Sequence, residues 1–194
     1  MSVILETERL ILRTWEEADI EPMAAIDQDP KVCEFLPGLG SLEGTREAIA
    51  FVKSHYTRHG FSVYAVELKS IHALIGFVGL SIPRFDAPFT PCVEIGWRLS
   101  SAHWRQGYAT EAAKAVLNYA FMTLGLDEIV SFTVPANQAS RRVMEKIGLH
   151  YSPDDNFEHP KLEKIHPLCQ HVLYRLSKAE YLVSMRERDK ERYL

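Results

Sequence analysis

The chain contains 194 residues, of which 46% are hydrophobic and 25% are charged, and its formal net charge is −4 at pH 7. This composition is typical of soluble globular proteins and excludes a disordered chain, because that much apolar surface can offset the entropy lost on folding. The mildly acidic balance argues against a protein whose main work is to bind nucleic-acid phosphates. We expect a single domain over residues 1–194, and a chain of this length also has room for a small second lobe.

Three features of the sequence predict a cytoplasmic protein without a membrane partner. No stretch approaches the ~18 uninterrupted apolar residues that a membrane-spanning helix needs. The first residues lack the basic start and the apolar core of a signal peptide. The cysteines, Cys33, Cys92 and Cys169, are odd in number and far apart, which indicates reduced thiols and not a disulfide framework.

Hydrophobic periodicity and turn signals predict a mixed α/β order of elements. In chain order they are a strand at 9–14, a helix at 16–27, a helix to residue 59 capped by Ser41, strands at 61–68, 73–82 and 92–99, a helix from 107 to 124, a strand at 128–134, a helix at 138–147, a strand at 169–176 and a final helix at 177–192. The alternating charges of the final helix predict a solvated face. A proline-containing loop carries Phe85 and Phe89, which either pack down or contact a ligand.

The helix after Gly107 is the clearest periodic element, with apolar residues at three- and four-residue spacing. It follows a strand and a short loop, so the free N–H groups and the dipole of its first turn would form a site for a phosphate or diphosphate. Gly107 permits close backbone approach, and Arg105 adds a positive charge. The residues after Gly107 exclude a P-loop, and the lone glycine excludes a dinucleotide-binding fingerprint. An ordinary core helix after a tight loop is the alternative.

Two segments of the chain resemble the acetyl-CoA-binding motifs of the GNAT superfamily of N-acetyltransferases. The first, WRQGYATEA at 104–112, resembles the loop that holds the diphosphate of the cofactor. The second, NQASRRVMEKIGL at 137–149, resembles the other CoA-contacting segment. The segments at 7–13 and 171–176 look like the branch that includes the ribosomal-protein N-terminal acetyltransferases, the RimJ/RimL-like branch. The resemblance covers nearly the whole chain.

This resemblance implies a mixed, largely antiparallel sheet that is splayed in the middle, with flanking helices and with acetyl-CoA in the opening as co-substrate. It implies that the diphosphate lies on the loop and the first helical turn. The pantetheine arm would pair with the strand at 92–99 in the manner of an added strand. The cofactor contacts implied in this way come from Ile95, Gly96, Trp97, Arg105, Gln106, Gly107, Tyr108, Ala109, Thr110, Asn137 and Ser140.

The implied reaction is direct acetyl transfer from a thioester to a primary amine. It needs a group that accepts the amine proton, a donor for the oxyanion and an acid for the departing thiolate. A backbone N–H near Gly96 would hold the oxyanion. Glu94 is the candidate base. The alternative is that Glu94 has no catalytic role and that its carboxylate is solvated or paired with Arg98. Met144 stands where many superfamily members carry a tyrosine that acts as the acid, so Ser140 is the candidate acid here. The alternatives for Ser140 are a hydrogen bond to the cofactor or a hydrogen bond to the backbone of its own helix.

The sequence leaves the acceptor open between a protein N-terminal amine and a small-molecule amine. A catalytically inactive CoA-binding sensor or scaffold is the alternative that Met144 favours, and a module for other phosphate ligands is a third. No metal site is expected, because His159, His166, Cys169 and His171 fit no familiar ligand spacing. Exposed strand edges leave a homodimer open.

Overall fold

The computed structural model describes residues 1–191, with side chains through residue 187, so Arg192 of the predicted final helix lies outside the described residues. The strands are β1 (Val3–Glu6), β2 (Leu10–Arg13), β3 (Val63–Leu68), β4 (Ala73–Ser81), β5 (Glu94–Leu99), β6 (Glu128–Thr133), β7 (His150–Tyr151), β8 (Phe157–Glu158) and β9 (Gln170–Ser177). The helices are α1 (Ile20–Asp27), α2 (Leu42–His59), α3 (Tyr108–Asn118), α4 (Gln138–Lys146) and α5 (Lys178–Glu191). In the described part of the chain, no helix is long and apolar enough to cross a bilayer.

These elements confirm the predicted mixed α/β class with a largely antiparallel sheet and flanking helices. α2 begins and ends where its capping residues predict. Ser41 Oγ accepts the N–H of Gly44 at 3.0 Å, and Gly60 ends the helix at a left-handed φ of +76°. The prediction missed β1, β7 and β8. β7 and β8 have two residues each, which is too short to show a period, and the apolar run that begins β1 does not alternate with polar residues.

Residues 1–81 and 95–116 form one compact unit, called here the first unit. Its strands β1 to β4 form an antiparallel meander, in which each strand pairs with the next. The end of β5 lies against β4, since Ser100 N–H donates to Ile75 O at 2.8 Å. A Cβ at Gly76 would overlap the carbonyl oxygen of Arg98, so this close approach of the strands requires glycine. The core of the unit contains Trp15, Ile20, Met23, Ile26, Ile49 and Ala65.

Residues 82–94 and 117–191 form the second unit. Its strands β6 and β9 pair antiparallel over six residue pairs, and the short strands β7 and β8 also pair with β9. The first residue of β5 belongs to this unit. Glu94 lies opposite Val130 in a parallel pairing with β6, and Val130 N–H donates to Val93 O at 3.0 Å. In α5, the ring of Tyr181 packs on Phe121 with ring centres 4.9 Å apart.

Candidate active site

The first turn of α3 presents backbone N–H groups toward its N-terminal end. The hydrogen-bond ladder of this helix begins where Glu111 N–H donates to Gly107 O at 2.9 Å. The amides of residues 108–110 precede the ladder, and they have no acceptor among the residues that the structure describes. Amides in this position, with the helix dipole behind them, attract an anion. Amides in this position are the donors that the predicted diphosphate site would require.

The loop that leads into α3 has an unusual backbone. Arg105 and Gly107 both lie in the left-handed region, with φ of +61° and +85°. This region costs an L-residue about 1–2 kcal/mol, which Gly107 avoids and Arg105 does not. The loop is exposed at residues 105–107, and it is anchored on its other side by Trp104, whose Nε1 donates to Leu99 O at 2.8 Å. Strain at Arg105 persists only if neighbouring contacts hold the loop in place.

The side chains of Arg9 and Glu111, both in the first unit, hold this loop. Neither residue was predicted from the sequence to have a role in the site. Arg9 Nη1 donates to Gln106 O at 3.0 Å, and its guanidinium carbon lies 4.4 Å from the centre of the Tyr108 ring. Arg9 Nε and Nη2 each lie 2.6 Å from Glu111 Oε2. Glu111 Oε1 accepts from Thr7 Oγ1 at 2.6 Å and from Arg9 N–H at 3.0 Å. Tyr108 is buried beneath the guanidinium and has a packing role.

The charge state of Glu111 follows from these contacts. Burial acts to raise the pKa of Glu111, and the hydrogen bonds from Thr7 and Arg9 outweigh burial, so that its pKa is lowered overall. Glu111 is therefore ionised at neutral pH and balances the charge of the Arg9 guanidinium. The contact could be found from the sequence only by pairing a charge at 9 with an opposite charge about a hundred residues away.

β5 carries the residues predicted to pair with the pantetheine arm. Ile95 is fully buried, and Gly96 and Trp97 are half-buried. Arg98, considered above as a partner for Glu94, forms its ion pair with Asp27 Oδ1 at 2.6 Å. In this strand the side chain of Ile95 is therefore held in the core of the first unit, and the two residues that follow it remain partly accessible.

Glu94 lies at the start of β5, in the second unit, and is half-buried. Its negative charge reaches the neighbouring thiol of Cys92. Burial raises the pKa of Cys92 to about 11, and the charges of Glu94 and Glu128 add to the shift. Cys92 is consequently a neutral thiol at physiological pH.

The second unit also carries the predicted residues of the α4 segment. Asn137 caps α4, since its Oδ1 accepts Ser140 N–H at 3.1 Å and its Nδ2 donates to Thr133 Oγ1 at 3.1 Å. Ser140 is half-buried, and its hydroxyl has no hydrogen-bond partner within the described part of the chain. The hydroxyl therefore does not form a hydrogen bond with the backbone of its own helix, which was one of the two non-catalytic roles considered for Ser140. Met144 is buried in the core.

The proline-containing loop packs its two phenylalanines within the second unit. The ring centres of Phe85 and Phe89 lie 5.8 and 6.0 Å from that of Phe132 in β6. His159 and His171 join the same aromatic cluster, with ring centres 5.1 Å apart. Burial lowers the pKa of both histidines, so they are neutral at pH 7. Of the two alternatives for this loop, packing is the one observed.

The predicted site residues thus fall into two groups. The first unit contains Ile95, Gly96 and Trp97 of β5 and also the loop and first helical turn at 105–110. A hydrogen bond from Trp104, just before the loop, to Leu99 connects it to the end of β5. The second unit contains Glu94, Asn137 and Ser140.

The fold is that of the GNAT acetyltransferases. The family model described as "Acetyltransferase (GNAT) domain" matches residues 9–150, and the chain belongs to this family. The uncharacterized N-acetyltransferase YoaA of Bacillus subtilis (strain 168) is 32% identical over 152 residues, which cover 76% of this chain and 83% of YoaA. The resemblance to the GNAT family that the sequence shows is therefore confirmed.

Solved structures extend the comparison. The crystal structure of a GNAT-family acetyltransferase from Bacillus anthracis superposes with a TM-score of 0.73 at 27% identity, covering 90% of this chain and 98% of that one. RimL, a ribosomal L7/L12 alpha-N-protein acetyltransferase solved in complex with coenzyme A, has a TM-score of 0.73 at 16% identity, with 91% and 98% covered. At that identity the likeness to RimL shows the fold alone.

Proposed function

We propose that this acetyltransferase uses acetyl-CoA to acetylate a primary amine directly, on a protein N-terminus or a small molecule. The observation that carries the proposal is the first turn of α3, where amides that have no acceptor among the described residues follow the left-handed backbone at Gly107. Membership of the GNAT family supports acetyl-CoA as the donor. The proposal includes a single acetyltransferase domain over residues 1–194 and a cytoplasmic location.

In this proposal the loop and first turn of α3 hold the diphosphate through backbone amides, with Arg105 adding charge. The half-buried backbone of β5 at Gly96 and Trp97 pairs with the pantetheine arm. Asn137 contributes a cofactor contact from the start of α4. The hydroxyl of Ser140 has no hydrogen-bond partner among the described residues and lies at a half-buried position, which supports a role for that side chain toward the cofactor as well.

Acetyl-CoA supplies an acetyl group activated as a thioester. The amine nitrogen forms a bond to the acetyl carbon, the carbon–sulfur bond breaks, and one proton must leave the amine while another reaches the sulfur. Glu94 accepts the amine proton, directly or through a water molecule. Ser140 donates the proton to the sulfur and regains one from solvent, while a backbone N–H near Gly96 stabilises the oxyanion.

The acceptor is proposed at the level of chemistry only. The acceptor is either a protein N-terminal amine, as in the RimJ/RimL-like branch that segments 7–13 and 171–176 resemble, or a small-molecule amine. The second candidate function is a CoA-binding sensor without turnover. It is favoured by the buried Met144, which cannot donate a proton at the position where many relatives carry tyrosine.

The test combines binding with turnover. Acetyl-CoA is titrated by calorimetry, and thiol release is then followed across a panel of N-terminal peptides and small amines. Tight binding with release on one class of acceptor supports the enzyme and identifies its substrate. Tight binding without release on any acceptor supports the sensor. Absence of binding contradicts the assignment of the diphosphate site.

A further inference from the structure

We infer that Arg9 is a positioning residue for the diphosphate loop, which it holds together with Glu111 in the conformation that binds acetyl-CoA. The inference rests on the proposed function, because it assumes that residues 105–110 receive the diphosphate. It adds a role for a side chain outside both CoA-binding segments. Arg9 precedes β2, about a hundred residues before the loop that it contacts.

The Arg9 guanidinium is fixed from three directions. Two of its nitrogens contact the same oxygen of Glu111, a third donates to Gln106 O, and one face of the group lies over the ring of Tyr108. A Cβ at Gly107 would lie 3.4 Å from Arg9 Nη2, so the guanidinium also rests directly against that glycine. Planar, forked donors are suited to such a site because their geometry is preorganised.

The held carbonyl lies at the strained part of the loop. Gln106 stands between Arg105 and Gly107, the two residues with left-handed φ. Without the hydrogen bond from Arg9, the loop would be free to relax away from the conformation at Arg105, which is costly for a residue with a side chain. The amides of α3 would then be presented to the diphosphate less often, and the affinity for the cofactor would fall.

The charge of Arg9 is not its main contribution. The carboxylate of Glu111 pairs with it at 2.6 Å, and the side chain of Glu111 is only 19% exposed. A positioning role therefore differs in its consequences from simple attraction of phosphate. Lysine at position 9 would keep the positive charge but would lose the fork and the planar face over Tyr108. We expect Arg9→Lys to behave like Arg9→Ala and not like the wild type.

The experiment compares two acetyl donors. Acetyl-CoA carries the diphosphate, whereas S-acetyl-pantetheine lacks both the diphosphate and the nucleotide. For Arg9→Ala and Arg9→Lys we expect the KM for acetyl-CoA to rise about tenfold or more, with kcat nearly unchanged, and the KM for S-acetyl-pantetheine to change little. The matched control is Arg46→Ala, which removes an exposed arginine of the same unit from its ion pair with Glu17 and should leave both donors unaffected.

Equal losses with both donors would assign Arg9 a purely structural role, and a wild-type KM in Arg9→Lys would reduce its role to charge. Either result overturns the inference. Calorimetric affinity for acetyl-CoA is measured on the same variants and needs no acceptor. If Arg9→Ala does not fold, Glu111→Gln serves as the second variant, with a smaller loss of affinity in the same direction expected and an unchanged affinity overturning the inference. Wild-type protein that fails to bind acetyl-CoA would instead contradict the proposed function.

Discussion

Replacing Gly107 with glutamate should weaken acetyl-CoA binding about 30-fold or more and leave the protein folded. The backbone there has φ of +85°, where a side chain costs about 1–2 kcal/mol. That cost is a minor part of the roughly 5–15 kcal/mol by which domains are stable. The new Cβ would lie 3.4 Å from Arg9 Nη2, which is an ordinary contact and adds no overlap. The fold should therefore tolerate the change.

The loss of binding comes from charge. A glutamate at 107 puts a carboxylate beside the amides that are proposed to receive the diphosphate. Two like unit charges about 4 Å apart repel by roughly 4 kcal/mol at an effective dielectric constant of about 20. Salt reduces this repulsion at an exposed position. Even half of it, about 2 kcal/mol, corresponds to a roughly 30-fold weaker Kd.

Calorimetric titration with acetyl-CoA and a thermal unfolding curve measure the two effects separately. Gly107→Ala introduces the backbone strain without the charge and should weaken binding far less. Gly60→Glu is the matched control, since Gly60 has a similar φ of +76° and nothing within 4 Å of an added Cβ. A folded Gly107→Glu protein with the wild-type Kd would refute the assignment of the diphosphate site.

Three further outcomes are expected. Ser140→Ala should lower kcat more than it raises the KM for acetyl-CoA, and an equal effect on both would return Ser140 to a cofactor contact. Gly76→Ala should lower the Tm, at a cost on the order of 1–3 kcal/mol, because its Cβ would overlap the Arg98 carbonyl, whereas Gly38→Ala has the same φ of +137° and open space, and should cost less. At pH 8, iodoacetamide should alkylate Cys92 about a hundredfold more slowly than in the unfolded chain, because its pKa is raised from 9.0 to about 11 and the thiolate forms only as the pH approaches that value. Peptide mapping would assign the site, and equal rates would contradict the raised pKa.

Local chemistry made much of the fold predictable. α2 lies between the residues that the sequence marks as its ends, because a serine hydroxyl caps the first turn and a glycine adopts the left-handed conformation after the last. The apolar face of α3 is buried as its spacing predicts, with Ala112, Val116 and Leu117 at 0–1% exposure. In both cases the signal lies within a few residues of its effect.

The parts that could not be predicted depend on distant contacts or on special backbone conformations. The left-handed φ of Arg105 has no signature in its residue type, since arginine rarely adopts it. The contact of Arg9 with Glu111 joins two charged residues among many. Family resemblance found the position of the loop, and its support became visible only in three dimensions. The roles of Glu94 and Ser140 in catalysis stay predictions.

The pairing of Arg9 with Glu111 also bears on when the protein becomes competent to bind its cofactor. The bond closes a separation of 102 residues, so it forms only after much of the first unit has assembled. Helix α3 can form early from local contacts, but the loop before it takes up its final conformation only when Arg9 reaches it. During refolding, helical circular dichroism should therefore return before acetyl-CoA binding does. Affinity for the cofactor would thus report the last stage of assembly of the first unit.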